Sequence, residues 1–209
     1  MFKVLLHLTL AFNLVTKVIR LLSVYFLGKY SHLYLRALGC EVGKNVKLGC
    51  PPLVFLNRFS RIKIGNNVKL ASCSLQNQIC KDRLILSTQA PGAEIIIGDG
   101  SGVSCSILYA VNSIRIGKNV NIGANCRIFD TDFHPVDIDA RRFHNKLEII
   151  NSPVIIEDDV WLAGNVTILK GVRIGRGTII GFGSIVTCDI PAGVLAVGTP
   201  AKVIKNIVK

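Results

Sequence analysis

Two of the chain's four histidines and four aspartates are gathered in one stretch, FDTDFHPVDIDARRFHNKLEIINS, from Phe129 to Ser152. His134 is the side chain there whose ordinary titration range lets it take a proton from a hydroxyl near neutral pH, the task of a general base in acyl transfer. Taken alone, a histidine before proline serves a loop structurally as readily as it serves chemistry. Asp130 and Asp132 make an Asp-x-Asp pair. Such carboxylates could hold a metal-bound sugar nucleotide or accept hydrogen bonds from an acceptor's hydroxyls, and a solvated loop is the plainer alternative. Arg141, Arg142 and His144 could touch the same acceptor or face water.

The elements around this stretch follow a six-residue period. Ile156, Leu162, Ile168, Ile174, Ile180 and Val186 recur every six residues, each preceded by two positions by Val154, Val160, Val166, Val172, Thr178 and Ser184. The same register returns upstream in Ile116, Ile122 and Ile128, in Ile97 and Val103, in Ile64 and Leu70, and in Val42 and Leu48. No helix has that period. Glycine, asparagine and small residues fill the gaps, which suits short strands turned at corners that need left-handed or tightly bent backbone. One such unit cannot bury its aliphatic residue, but stacked coils can, so the pattern predicts an all-β parallel β-helix. The repeat lapses between Ile128 and Ile156, making residues 130–152 a loop that leaves the coil, and long loops in regular scaffolds tend to carry function. Residues 71–93 also fit poorly.

The repeat, with Asp130-Thr131-Asp132-Phe133-His134-Pro135, Val160-Trp161-Leu162 and the ending Gly198-Thr199-Pro200-Ala201-Lys202-Val203-Ile204-Lys205, resembles the hexapeptide-repeat acyltransferases, especially the galactoside, maltose and polysaccharide O-acetyltransferases. The resemblance covers roughly residues 40–205. It implies a left-handed β-helix, a homotrimer with sites between subunits, acetyl-CoA as acyl donor, no metal, and a sugar or glycan hydroxyl as acceptor. It makes His134 the base and puts Asp132 and Ser104 near the acceptor. Gly164, Phe182 and Thr187 then fall along the pantetheine arm of the donor, Lys202 and Lys205 at its phosphates, and Trp161 at a subunit groove or the donor wall. The sequence departs from the family at Ser104, where asparagine is usual, at Leu162-Ala163-Gly164 after the tryptophan, and at Phe182, where a small residue is usual. Three segments result: 1–39, the β-helix 40–190, and a tail 191–209 that completes the donor site.

Formal net charge is +12, and Lys3, Lys17, Arg20, Lys29 and Arg36 precede the first carboxylate, Glu41. On a helix, Val4, Leu5, Leu8, Ala11, Phe12, Val15, Val18, Ile19 and Leu22 fill one arc, with Lys3, His7, Asn13, Thr16, Lys17 and Arg20 opposite. That pattern suits a helix lying on an anionic membrane surface, cytoplasmic and peripheral at the inner face, with packing on the protein's own body or on a partner subunit, and a cleaved signal peptide, as the alternatives. Its charged and polar interruptions argue against a simple spanning helix. Seven cysteines, odd in number and without a Cys-x-x-Cys pair, suggest neither a disulfide framework nor a zinc site, and so a reducing compartment. Zinc chemistry on this fold needs three histidines, and only His134 and His144 lie beyond the N-terminal helix. The scattered Lys and Arg lack the interleaved aromatics of a nucleic-acid surface, so no nucleic-acid partner is expected. An amino-sugar N-acetyltransferase and a membrane-recruited scaffold without activity are the remaining alternatives.

Overall fold

The computed structural model describes residues 2–207, and within them the side chains of residues 2–12, Arg20 and Lys146 are outside the described set. After one long helix the chain winds as a left-handed parallel β-helix with three sheets of six, eight and six strands. Each coil contributes one short strand to each sheet. The inward residue of every strand stacks on its equivalent in the next coil. In the first sheet the stack is Val42, Ile64, Ile97, Ile116, Ile156 and Ile174. In the second it is Leu48, Leu70, Val103, Ile122, Leu162, Ile180 and Ala196. In the third it is Val54, Leu86, Leu108, Ile128, Ile168 and Val186. Almost all are fully buried, and each such side chain contributes about 1.5–3 kcal/mol of transfer free energy.

The corners explain the polar half of the repeat. Asn45, Asn67, Gly100, Asn119, Asp159 and Gly177 mark the same corner in successive coils, and all have positive φ, between 55° and 74°. Asparagine, aspartate and glycine are the residues that adopt this backbone at least cost.

The helix α1, Phe2–Ala37, extends ~54 Å at 1.5 Å per residue. Among the described residues it is the C-terminal part that is seated on the first coil, where Ser31 and Leu35 are buried and a side chain at Gly28 would collide with the Leu48 carbonyl. Farther out Leu14, Val15, Val18, Ile19, Leu21, Leu22, Tyr25 and Phe26 are exposed. At 100° per residue these residues span an arc of about 160°, so Leu14 and Leu21 widen the expected apolar stripe toward the polar side without closing it around the helix. Val4, Leu5, Leu8, Ala11 and Phe12 of the expected apolar arc, and Lys3, His7 and Arg20 of the expected polar one, lie outside the described side chains. Among the described residues no helix is long and apolar enough to cross a membrane.

The cysteines correct the sequence expectation. Cys50 pairs with Cys73 and Cys80 with Cys105, leaving Cys40, Cys126 and Cys188 free. The two bonds fasten the poorly repeating segment between Ala71 and Ile85 to neighbouring coils. Neither an odd total nor the lack of a Cys-x-x-Cys spacing bears on bonds made between coils, where residues distant in sequence lie side by side. Disulfides persist mainly in oxidising surroundings, so the cysteine argument for a reducing compartment falls.

Candidate active site

The expected loop leaves the third sheet after its strand Arg127–Phe129 and returns to the first sheet at Val154–Ile156. Its neck is closed by an antiparallel bridge between Thr131 and Asn151 and by Ser152 N–H donating to the Asp130 carbonyl at 2.9 Å. Beyond the neck it folds into a short helix α2, Ile138–Arg142, whose N-cap Asp137 accepts from the Ala140 amide at 2.8 Å, the usual use of aspartate at that position.

The two aspartates of the Asp-x-Asp pair do different work. Asp130 is fully buried and accepts from the backbone amides of Val111 and Asn112 at 2.8 and 2.7 Å, tying the loop root to the coil below. Burial pushes its carboxyl above the ordinary range, against the downward pull of those amides. Asp132 is a quarter exposed, and its Oδ2 lies 3.1 Å from Nζ of Lys170, in the corresponding corner of the next coil. Lys170 carries no signal of its own in the sequence, because its partner Asp132 sits at the far end of the loop.

Between them and His134 stands Phe133, at φ 64°. Left-handed backbone at a bulky residue costs roughly 1–2 kcal/mol. The ring is held against Tyr109 and Phe129, with centroids 5.0 and 5.2 Å away, and the amide donates to Thr131 Oγ1 at 3.2 Å. His134 follows directly, exposed, its amide donating to the Asp132 carbonyl at 2.7 Å. The aromatic cluster and the Asp132–Lys170 pair thus fix the backbone on which an accessible imidazole is presented. Arg141 donates to the carbonyls of Pro135 and Val136, and Arg142 pairs with Asp139, so both order the loop itself.

The other expected residues are distributed over different faces. Thr187 is exposed at the end of the last strand of the third sheet, on the corner shared with the His134 loop. Gly164 and Phe182 sit together on the corner between the second and third sheets, where a side chain at Gly164 would come within 3.0 Å of the Phe182 ring. Phe182 is largely exposed. Lys202 and Lys205 are exposed on the strand Ala201–Asn206, which pairs antiparallel with Val194–Gly198 at the end of the second sheet. Ser104 and Trp161 line one groove of about 470 Å³ on the outer face of that sheet, with Lys47, Lys69 and Asn121. Within one chain, then, Ser104 and Trp161 belong to a different face from His134.

Residues 153–188 match the family described as bacterial transferase hexapeptide (six repeats), and residues 113–136 the hexapeptide repeat of succinyl-transferase. A Saccharomyces cerevisiae protein named as an acetyltransferase is 33% identical over 75% of this chain and 85% of its own length. A Staphylococcus aureus 2,3,4,5-tetrahydropyridine-2,6-dicarboxylate N-acetyltransferase is 39% identical over 43% of this chain and 32% of its own length. Among solved structures, a maltose O-acetyltransferase from Clostridium difficile 630 is similar at 28% identity and a TM-score of 0.50, over 91% of this chain and 89% of that one. The chain belongs to the hexapeptide-repeat acetyltransferases.

Proposed function

We propose that the protein transfers an acyl group, in the first place acetyl, from acetyl-CoA to a hydroxyl of a sugar, with His134 as general base. The observation that carries this reading is His134 itself, presented by a strained Phe133 on a loop tied down through Asp130 and Asp132. In the reaction, the imidazole takes the proton as the acceptor oxygen attacks the thioester carbonyl. The tetrahedral intermediate then collapses, the C–S bond breaks, and the imidazolium returns the proton to the departing CoA thiolate. Lys202 and Lys205 would meet the donor's phosphates, and Gly164, Phe182 and Thr187 its pantetheine arm.

Apart from Thr187, which shares the corner of the His134 loop, these groups lie on faces of one chain away from His134. That separation favours a homotrimer, in which the His134 loop of one copy closes on the second-sheet face of its neighbour. The acceptor would be a cell-surface polysaccharide or lipid-linked glycan, since the exposed apolar surface and cationic residues of α1 suit peripheral attachment to an anionic membrane. The deciding experiment replaces His134 by alanine and follows thiol release from acetyl-CoA with sugars and sugar nucleotides as acceptors. A positioned base contributes about 10²–10⁴, so the rate should fall at least about a hundredfold, and near wild-type turnover would remove the mechanism.

A further inference from the structure

The groove on the second sheet contains a row of side chains that the transfer chemistry leaves unused. Adjacent strands put Lys47, Lys69, Gly102, Asn121 and Trp161 in register along one outward ladder. Neighbouring strands are about 4.8 Å apart, so Lys47 and Lys69 are like charges set directly side by side, an arrangement that costs stability. On the first sheet the outward arginines are neutralised: Arg61 pairs with Glu41, Arg115 with Glu94 and Arg173 with Glu157. Among the described residues neither Lys47 nor Lys69 has a carboxylate partner.

Gly102 is equally unexplained by the fold. Elsewhere in the coil, at Gly43, Gly65, Gly98 and Gly117, an added side chain would come within 3.0 Å of backbone. At Gly102 it would meet only Asn121 Oδ1 at 3.5 Å and the Lys69 carbonyl at 4.0 Å, and the backbone is ordinary strand. Gly102 opens the strand Gly102–Ser104, and a strand glycine that nothing crowds is one mark of a place where a ligand approaches the backbone closely. Here it leaves bare the rung between Lys69 and Asn121, and beyond Asn121 stands Trp161, which is half exposed. Three strand spacings separate Lys69 from Trp161, a span of ~14 Å.

We propose that this groove is a subsite for an anionic glycan acceptor, with a sugar ring stacked on Trp161, the chain passing over Gly102, and a carboxylate or phosphate held by Lys47 and Lys69. This rests on the reading of the protein as a sugar acyltransferase, names its acceptor as acidic, and moves Trp161 from the donor's wall to the acceptor's.

Trp161 is the chain's single tryptophan, so its fluorescence reports the groove directly. The full chain is titrated, without donor, with an oligogalacturonate, with the same oligomer after its carboxylates are reduced to alcohols, with UDP-glucose, and with CoA. The oligogalacturonate, the UDP-glucose, or both should bind at least tenfold more tightly than the reduced oligomer, less tightly as salt rises. That affinity should drop at least tenfold in Lys47→Glu/Lys69→Glu and, with the charges kept, in Gly102→Leu.

Equal binding of the reduced oligomer, no response to either anion, or an affinity unchanged by both variants overturns the proposal. So does CoA binding lost through the same variants, which would make the groove the donor's, or a change of oligomeric mass as their sole effect, which would make it a subunit contact. His134→Ala should bind the glycan as the wild type does, so a failure of the subsite and a failure of the transfer mechanism give separate signatures.

Discussion

Replacing Lys170 by alanine tests whether the ion pair with Asp132 holds the His134 loop in its working position. The separation of 3.1 Å with both side chains about a quarter exposed gives a Coulomb attraction of about 1.3 kcal/mol at the dielectric of water and about 5 kcal/mol at an effective dielectric of 20. Desolvation and the ordering of two long side chains offset most of the larger figure, and measured exposed pairs fall at about 0.2–1 kcal/mol. A partly shielded pair therefore contributes about 1 kcal/mol net. Because 1.36 kcal/mol is tenfold in rate, losing it from the geometry presenting His134 should lower kcat about fivefold. The KM for acetyl-CoA should stay put, since neither residue is among the donor's expected contacts.

The assay is steady-state thiol release for Lys170→Ala, Asp132→Asn and the double variant, at low and high salt. If the pair acts as a unit, the double variant is no slower than either single one, the coupling is about 1 kcal/mol, and added salt narrows the gap to wild type. Lys170→Arg should recover most of the rate. Additive single effects, or a lowered melting temperature with kcat intact, would refute the reasoning and leave the pair a local structural contact.

The disulfides should matter on a larger scale. They close loops of 23 and 25 residues, for which chain entropy gives about 3 kcal/mol each, so Cys50→Ser/Cys73→Ser should shift the urea midpoint down markedly, and a midpoint insensitive to both reductant and substitution would contradict the structure here. For α1, a chain beginning near Gly39 would discard Leu35, which is buried against the first coil. The cut therefore belongs before Leu27, leaving the seated end in place. That shortened chain should acylate a small soluble acceptor normally and fail to co-sediment with anionic liposomes that the full chain binds, whereas lost activity, or a full chain indifferent to liposomes, would make the outer helix a packing element.

The β-helix was legible because its period is written in side chains that face inward. Ile116, Ile122 and Ile128 announce three strands by spacing alone, and each stacks where that spacing puts it. The loop was legible for the converse reason, that the period stops after Ile128 and resumes at Ile156. Individual roles inside it were not. Asp130 and Asp132 look equivalent as an Asp-x-Asp pair, yet the first continues the inward side of Ile128 and is buried on two amides, while the second lies past the Thr131–Asn151 bridge, out of the strand, and meets Lys170. The segment after Ala71 shows in the sequence only as a poor repeat, and its cystines leave no trace there because their partners are on different coils.

That last failure has a common physical root with the groove. In a parallel β-helix, three hexapeptides make one coil, so residues a full coil apart lie in register, as Trp161 does with Ile179. Counting in coils finds neighbours only where coils are regular. Between Lys69 and Gly102 stands the disulfide-bonded excursion, and between Asn121 and Trp161 the His134 loop. Each insertion hides a register that the sheet nonetheless keeps. The core tolerates this because an insertion at a corner leaves the inward aliphatic stack untouched, whereas the outward ladder acquires its chemistry from residues that sequence distance sets far apart. Lys47 beside Lys69, and both across Gly102 from Trp161, is thus a statement about the coils and not about the sequence. It follows that lengthening or shortening either excursion at its exposed tip should leave the ladder in register, while inserting a single residue within the strand Asn121–Ile122 should exchange its inner and outer faces and abolish both core and groove.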